Sequence, residues 1–129
     1  LEQLDILEEE KVDLGRVVVG HMDRNPDFFY HREIARRGAL LAYDGISKIK
    51  YYPESVRVEL VKRMLESGYG DQIVLGGDMA RRSYMKGYGG GPGWDYILKK
   101  FVPRLLAEGL SKIDVDKLLI HNPAAWLSM

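Results

Sequence analysis

Three polar side chains each follow a short apolar run of the sequence, one histidine and two aspartates. They are His21, Asp44 and Asp78. Imidazole is a common metal ligand, and a carboxylate beside a buried strand is costly unless it is paired, hydrogen-bonded or bound to a metal. The pattern alone therefore leaves two roles open for each of His21 and Asp78, metal binding or a structural contact, which for His21 would be a hydrogen bond at the strand end. For Asp78 the alternatives are a helix cap or a salt bridge to Arg81 or Arg82.

Asp44 occupies the same kind of position, but its structural alternatives are stronger. It can cap the chain that begins at Gly45, or it can orient a neighbouring group. We therefore predict that Asp44 supports a metal ligand or faces the substrate, and does not bind metal itself.

Basic residues concentrate in the segments after the second and third apolar runs. Lys48 and Lys50 lie in the first segment, and Arg81, Arg82 and Lys86 lie in the second. Guanidinium and ammonium groups from two loops on one edge can together bind the oxygens of a phosphate. Nearby tyrosine hydroxyls would add donors. A solvated charged loop remains the alternative for each residue.

A glycine-rich segment, 87–93, precedes a predicted helix. Such a loop can hold phosphate at a helix N-terminus, but this one lacks the lysine–hydroxyl pair of a P-loop and the dinucleotide-binding spacing. We therefore favour a mobile lid or a tight connection. Of the other histidines, His31 is predicted on a helix surface. His121 is predicted to be structural, before a chain break at 122–123.

The elements that position these residues are three strands, each followed by a helix. The strands are predicted at 16–20, 39–43 and 72–75, and the helices at 26–37, 53–67 and 94–108. Continuous apolar strands alternating with helices indicate parallel pairing, and polar groups then meet at the carboxyl edge. Asn25 is the predicted cap of the first of these helices. Pro103 should kink the third, and Ser111 with Asp114 should form a capping box.

Composition excludes several classes of function. The chain has 129 residues, 46% hydrophobic and 29% charged, which suits one packed domain. Its 19 basic and 19 acidic residues cancel, which argues against nucleic acid or an anionic membrane as partner. Without cysteine, a metal must be held by His, Asp, Glu or modified Lys. No apolar run reaches the roughly 18 residues of a membrane span, so the cytoplasm is the expected location.

The combined order of motifs resembles the phosphotriesterase-like amidohydrolases. Residues 16–23 resemble the sixth strand of that family, 73–78 the eighth, and 121–127 its closing Asn-Pro-Ala segment. Residues 81–84 and the glycines 89–91 resemble the branch called phosphotriesterase homology proteins, which includes phosphorylated-sugar lactonases. The resemblance covers almost the whole chain.

This resemblance implies an α/β fold in which residues 1–129 form the C-terminal part of one TIM (β/α)8-barrel domain. The chain would supply the last three βα units, with parallel strands six to eight inside and helices outside. A complete barrel needs about 250 residues. The first ten residues show helical spacing without an initiator Met or a cap, so we expect a segment of a longer protein.

The resemblance also implies a site for two divalent metal ions, zinc being expected and manganese, cobalt or iron being alternatives. His21 would be one metal ligand. Asp78 would be another and also the catalytic group that accepts a proton from the bridging water. Lys50, Arg81 and Tyr84 match the residues that bind substrate phosphate in the lactonase branch.

The leading hypothesis is a hydrolase that opens a phosphorylated-sugar lactone, or cleaves an ester or phosphoester, through metal-activated hydroxide. The substrate would be a small anionic molecule. The partner would be the N-terminal half of the barrel, without which the chain should be inactive, and a homodimer is a further expected assembly. The alternatives are a non-catalytic phosphate-binding α/β module without metal, and a structural half-barrel completed by a partner.

Overall fold

The computed structural model describes residues 1–128 and contains a three-stranded parallel sheet. Its strands are β1 (Val18–Val19), β2 (Leu40–Tyr43) and β3 (Ile73–Leu75), in that order. Val18 lies opposite Leu40, and Leu41 lies opposite Ile73. The predicted α/β class, with parallel strands and intervening helices, is confirmed.

One α-helix precedes β1, one follows each of β1 and β2, and three follow β3 within residues 1–128. They are α1 (Glu2–Glu9), α2 (Phe28–Arg36), α3 (Glu54–Glu66), α4 (Val102–Ala107), α5 (Lys112–Asp116) and α6 (Asn122–Leu127). Helix α2 connects β1 to β2, and α3 connects β2 to β3. The capping box predicted at Ser111 and Asp114 is present at the start of α5. No helix in residues 1–128 is both long and apolar enough to cross a membrane.

The core lies where the sheet meets these helices. Leu41 and Ile73 of the sheet are completely buried, as are Val61 of α3 and Leu105 of α4. Full burial of such a side chain contributes roughly 1.5–3 kcal/mol. This packing holds the strands in place and fixes the direction of the loops at their carboxyl ends.

The first strand is shorter than the predicted run 16–20. Leu14–Arg16 form a 3-10 turn, in which the Asp13 side chain accepts a hydrogen bond from Gly15 N at 2.9 Å. This capped turn removes Arg16 from the sheet, so only Val18–Val19 pair as a strand. Apolar composition predicted the strand but not the local turn that shortens it.

Asp27, and not Asn25, caps helix α2. Its carboxylate accepts hydrogen bonds from Phe29 N at 3.0 Å and Tyr30 N at 3.2 Å. The predicted cap was wrong because Asn25 Oδ1 instead accepts from Asp27 N, at 3.0 Å, in the turn before the helix. The helix consequently begins at Phe28, two residues later than expected.

His31 is completely buried, which corrects the prediction of a surface position. Its Nδ1 lies 2.7 Å from the Tyr43 hydroxyl, and its Nε2 lies 2.7 Å from Asn25 O. The ring shares a helix face with Ile34 and Ala35, which pack into the core. Burial lowers the pKa of His31, which favours the neutral ring. Because Asn25 O can only accept, the neutral ring donates to it from Nε2–H and accepts from the Tyr43 hydroxyl at Nδ1.

Pro103 and Pro123 are both accommodated without a break in the helical chain. Each lies at the start of a helix that follows a π-helical turn, Ile97–Phe101 before Pro103 and Lys117–His121 before Pro123. A π turn changes the spacing of the backbone hydrogen bonds, so the helix can continue although proline has no N–H to donate. The predicted break at 122–123 was therefore wrong, and His121 is an exposed residue of a continuous helical segment.

Candidate functional site

A cavity of about 280 Å³ lies beside the carboxyl ends of the strands. Its lining residues are His21, Arg24, Lys48, Lys50, Tyr51, Asp78, Ala80, Arg81 and Tyr84. The structure thus brings together most of the sequence-predicted site residues, while Asp44 lies directly behind His21. Arg82 and Lys86 do not line the cavity, because Arg82 lies over the Tyr88 ring and Lys86 pairs with Asp95. Parallel strands explain this convergence, since their carboxyl ends share one edge.

The backbone turns sharply at His21, two residues after β1 ends. His21 has φ 57° and ψ 27°, a left-handed conformation that redirects the chain into a 3-10 turn. Its backbone N–H donates to Asp44 Oδ2 at 3.3 Å, and its Nδ1 lies 2.7 Å from Asp44 Oδ1. Because Asp44 occupies Nδ1, Nε2 is the nitrogen left for a ligand. A carboxylate behind a histidine is the arrangement that orients metal-binding imidazoles.

Asp78 also has a left-handed backbone, with φ 43°. Its Oδ2 accepts a hydrogen bond from Arg24 Nη2 at 3.0 Å, and its side chain is 30% exposed. The salt bridge considered from the sequence therefore exists, but its partner is Arg24 and not Arg81 or Arg82. A carboxylate has a second oxygen, so this ion pair leaves Oδ1 for another ligand.

Glycine at position 76 allows β3 to pass close to the residue that orients His21. A Cβ atom at Gly76 would lie 3.1 Å from the Cβ atom of Asp44. This is tighter than ordinary van der Waals contact, so a side chain at Gly76 would push Asp44 away. Gly76, two residues before Asp78, thus allows the loop that carries Asp44 to pack against the end of β3.

Lys48 is the most enclosed cation of the cavity. Its side chain is 6% exposed, and its Nζ lies 3.4 Å from the centroid of the Tyr84 ring. Within residues 1–128 this Nζ makes no hydrogen bond. Lys50 is exposed, and its Nζ lies 4.7 Å from the Tyr51 ring. The sequence reasoning noted both lysines but selected Lys50, because no pattern distinguishes the inward one.

Arg24 lines the cavity, although it was not among the site residues predicted from the sequence. Besides its ion pair with Asp78, its guanidinium carbon lies 4.6 Å from the Tyr51 ring centroid. Its position three residues after His21 could have identified it, because a residue in the same short loop lies at the same carboxyl edge of the sheet.

The glycine-rich loop is a tight connection in the structure. Gly91 N donates to Ser83 O at 3.2 Å, and Gly93 N donates to Tyr84 O at 2.8 Å. A Cβ atom at Gly90 would lie 2.1 Å from Ser83 O, so only glycine fits there. These contacts fold the loop back onto the turn that presents Tyr84 to the cavity.

Four cationic side chains and one carboxylate line the cavity. The cations are Arg24, Lys48, Lys50 and Arg81, and the carboxylate is Asp78. Guanidinium and ammonium groups so arranged favour an anion. The cavity therefore has two kinds of wall, one with an imidazole and a carboxylate and the other with an excess of positive charge.

The donor set fits one part of a metal centre. His21 offers an imidazole nitrogen held in orientation by Asp44, and Asp78 offers a carboxylate oxygen on the same cavity. Zinc and similar ions accept both ligand types. Among residues 1–128 no group of three or more His, Cys, Asp or Glu side chains is clustered for metal binding. His21 and Asp78 therefore suit a site that receives further ligands from elsewhere.

Comparison with known proteins identifies relatives along almost the whole chain. The phosphotriesterase homology protein of Escherichia coli is 38% identical over 126 residues, covering 98% of this chain and 43% of the relative. An N-acetyltaurine hydrolase of Danio rerio is 34% identical, covering 99% of this chain and 40% of the relative. A phospho-furanose lactonase of Mycoplasmopsis synoviae is 32% identical, covering 88% and 34%.

Solved structures show the same fold. The crystal structure of the Escherichia coli phosphotriesterase homology protein, with phosphate in its active site, matches with a TM-score of 0.94 and 36% identity, over 98% of this chain and 43% of that one. A lactonase from Listeria monocytogenes matches with a TM-score of 0.94 and 44% identity, over 98% and 40%. The chain spans about two fifths of the length of these relatives.

The model of the phosphotriesterase family matches residues 1–127. Together with these relatives, that match confirms the family resemblance seen in the sequence and the (β/α)8-barrel class that it implied. The chain belongs to the phosphotriesterase family.

Proposed function

We propose that this chain supplies part of the active-site mouth of a metal-dependent hydrolase with a small anionic substrate. Residues 1–129 would form strands six to eight of the barrel, and the rest of the barrel would complete the site. The relatives include hydrolases and lactonases by name, which supports hydrolysis as the reaction class. We favour a phosphorylated-sugar lactone as the substrate.

The observation that carries this proposal is the two-walled cavity. One wall presents His21, oriented by Asp44 through Nδ1, together with Asp78. The other wall presents cations that include Lys48 and Arg81. A substrate with an anionic group at one end and a carbonyl at the other would place each end against the matching wall.

His21 and Asp78 would hold one or both of two divalent ions, for which zinc is the expected metal. The bound ions would supply Lewis acidity and a nucleophilic hydroxide at neutral pH. Asp78 would bind metal through Oδ1 and would accept the proton of the attacking water at Oδ2, which keeps a second lone pair beside its 3.0 Å contact with Arg24. Arg24 would thereby keep the carboxylate pointing into the cavity.

The cationic wall would recognise the anionic end of the substrate. Lys48 carries a buried charge without a hydrogen-bond partner in the described residues, and a substrate oxyanion would provide one. Arg81 would add a forked donor, and Lys50 and Tyr84 would add an ammonium and a hydroxyl. Two relatives are named for substrates that carry such a group, a phosphate in the phospho-furanose lactone and a sulfonate in N-acetyltaurine.

The metal assignment is tested in the full-length protein by substituting each proposed ligand. His21→Ala and Asp78→Ala should each lower the metal content and remove most hydrolase activity. His121→Ala is the matched control, because His121 is exposed and lies outside the cavity. Normal metal content and normal rates in both ligand variants would refute the assignment. A wild-type protein without bound metal would favour the non-catalytic phosphate-binding module.

The substrate class is tested by comparing the phosphorylated and unphosphorylated forms of one sugar lactone. The wild type should prefer the phosphorylated form. Arg81→Met should reduce that preference by about tenfold to a hundredfold, because a hydrogen bond to a charged group is lost. The variant should keep its metals. An unchanged preference for the phosphorylated form would mean that the cationic wall is a solvent-exposed rim that does not bind the phosphate.

A further inference from the structure

Arg57 and Asp23 form an ion pair that has no exposed surface. Both side chains are 0% exposed, and Arg57 Nε donates to Asp23 Oδ2. Asp23 Oδ1 accepts a second hydrogen bond, from Gly45 N at 3.0 Å. A buried ion pair is costly to desolvate and is a weak source of stability by itself. Neither residue lines the cavity, so the proposed reaction does not use them directly.

The guanidinium of Arg57 also holds the loop that carries the cavity lysines. Nη2 donates to Lys48 O at 3.2 Å, and Nη1 donates to Tyr52 O at 2.7 Å. Glu54 lies 3.6 Å from Nη1 and accepts a hydrogen bond from Ser47 N at 2.7 Å. One side chain of helix α3 therefore fixes both the middle and the end of this loop, residues 45–52.

Asp23 connects the same arginine to the turn that begins at His21. Asp23 lies two residues after His21, and its acceptor contact with Gly45 N joins this turn to the lysine loop. A Cβ atom at Gly45 would lie 2.4 Å from Asp23 Oδ2 and 3.2 Å from Arg57 Nη2, so the contact requires glycine. The residue before Gly45 is Asp44, which orients His21.

We propose that Arg57 is a positioning residue that sets the spacing between the two walls of the cavity. Its guanidinium joins Asp23, which lies two residues after the proposed metal ligand His21, to the backbone of Lys48, the buried cation of the cationic wall. This inference rests on the proposed function for what the walls bind, but the coupling of the two loops is independent of it. A lysine cannot replace the arginine, because a single ammonium does not span the three acceptors.

The competing account is that the pair only stabilises the core. In that case a variant should lose stability across the whole protein, and its activity should fall by the same factor for every substrate. A positioning role predicts instead a local loosening of residues 45–52 and a selective loss of affinity for anionic substrates, since small displacements of binding groups reduce affinity and rate strongly.

The test uses three variants of the full-length, metal-loaded protein. Arg57→Lys keeps the positive charge beside Asp23 but loses the guanidinium that also reaches Lys48 O and Tyr52 O. Asp23→Asn combined with Arg57→Gln removes both charges of the pair, so neither is left alone in the core, and Glu54 keeps its hydrogen bond from Ser47 N. The control is Arg63→Lys, on the same helix, whose guanidinium lies 3.9 Å from the Phe28 ring and outside the cavity.

Hydrogen exchange followed by mass spectrometry reads the loop directly. In Arg57→Lys and in the double variant, residues 45–52 should exchange about tenfold faster, while β2 (Leu40–Tyr43) keeps its protection. The control should match the wild type. Unchanged protection of the loop would overturn the proposal. So would loss of protection in β2 of both variants, because the pair would then be holding the core.

Kinetics separate this inference from the proposed function. For the phosphorylated lactone, KM should rise by roughly tenfold in Arg57→Lys, while kcat/KM for the unphosphorylated lactone and the metal content change little. An equal loss for both substrates would overturn the positioning role. A wild type without preference for the phosphorylated form would refute the proposed substrate class, and the exchange data would still decide whether Arg57 couples the loops.

Discussion

Asp44 and His21 are joined twice, through both oxygens of one carboxylate. Asp44 Oδ2 accepts from the backbone N–H of His21 at 3.3 Å, and Oδ1 lies 2.7 Å from the ring Nδ1. The first contact fixes the turn after β1, and the second fixes the orientation of the imidazole. The histidine therefore presents Nε2 in a direction set by a residue at the end of the neighbouring strand.

Asp44→Asn should weaken metal binding without removing a proposed ligand. The amide has only one oxygen and cannot accept both hydrogen bonds, so the imidazole loses its fixed orientation and metal affinity should fall by about tenfold to a hundredfold. Competition with a chelator in the full-length protein measures this. Asp13→Asn, on the exposed turn before β1, is the control. Equal affinities in the two variants would show that Asp44 has no orienting role.

His31 should make the free energy of unfolding depend on pH. Burial lowers the pKa of His31 from its ordinary value of 6.5, so below that pH the unfolded state binds more protons than the folded state. Its stabilising contribution is therefore present above pH 6.5 and is lost as the pH falls from there toward the folded-state pKa. The slope from one group cannot exceed about 1.36 kcal/mol per pH unit.

Urea denaturation of the full-length protein from about pH 8 to pH 5 tests this slope. His31→Gln should flatten it, and the exposed His121→Gln should leave it unchanged. The prediction fails if the wild type and His31→Gln lose stability in parallel on acidification.

Asn122 should be important for stability and not for the reaction. Its buried Nδ2 donates to Gly70 O and Ile73 O, both at 2.7 Å, which attaches the C-terminal helical segment to the start of β3. Asn122→Ala would leave two carbonyl groups without this donor and should lower the free energy of unfolding by about 1–3 kcal/mol. Gln3→Ala, at an exposed position, is the control. Matching denaturation midpoints would contradict the assigned role.

The parallel pairing of the strands and the edge that carries the polar residues could be predicted from the sequence. Continuous apolar runs before His21, Asp44 and Asp78 were sufficient, because parallel strands place their carboxyl ends together. Family resemblance then supplied the fold and candidate roles. The placement of these side chains around one cavity fits those roles, which remain proposals.

The errors have a common physical origin in tertiary contacts. His31 looked like a surface residue because a single helix does not reveal that Tyr43, from the following strand, provides a buried partner. Lys48 is buried and Lys50 exposed in one loop, a difference that depends on contacts such as the Tyr84 ring beside Lys48 and that no sequence pattern shows. Arg57 lies within the predicted helix 53–67, and the sequence does not reveal its buried partner Asp23, which is 34 residues away.

The most direct measurement is anomalous X-ray diffraction from crystals of the full-length protein loaded with zinc. The account predicts a zinc peak within about 2.0–2.2 Å of His21 Nε2 and of an Asp78 oxygen, or two peaks that divide these ligands between them. Soaked phosphate should lie against Lys48 and Arg81 in the same cavity. Zinc bound without either His21 or Asp78, or an Asp78 that contacts only Arg24 in a zinc-loaded crystal, would contradict the central claim.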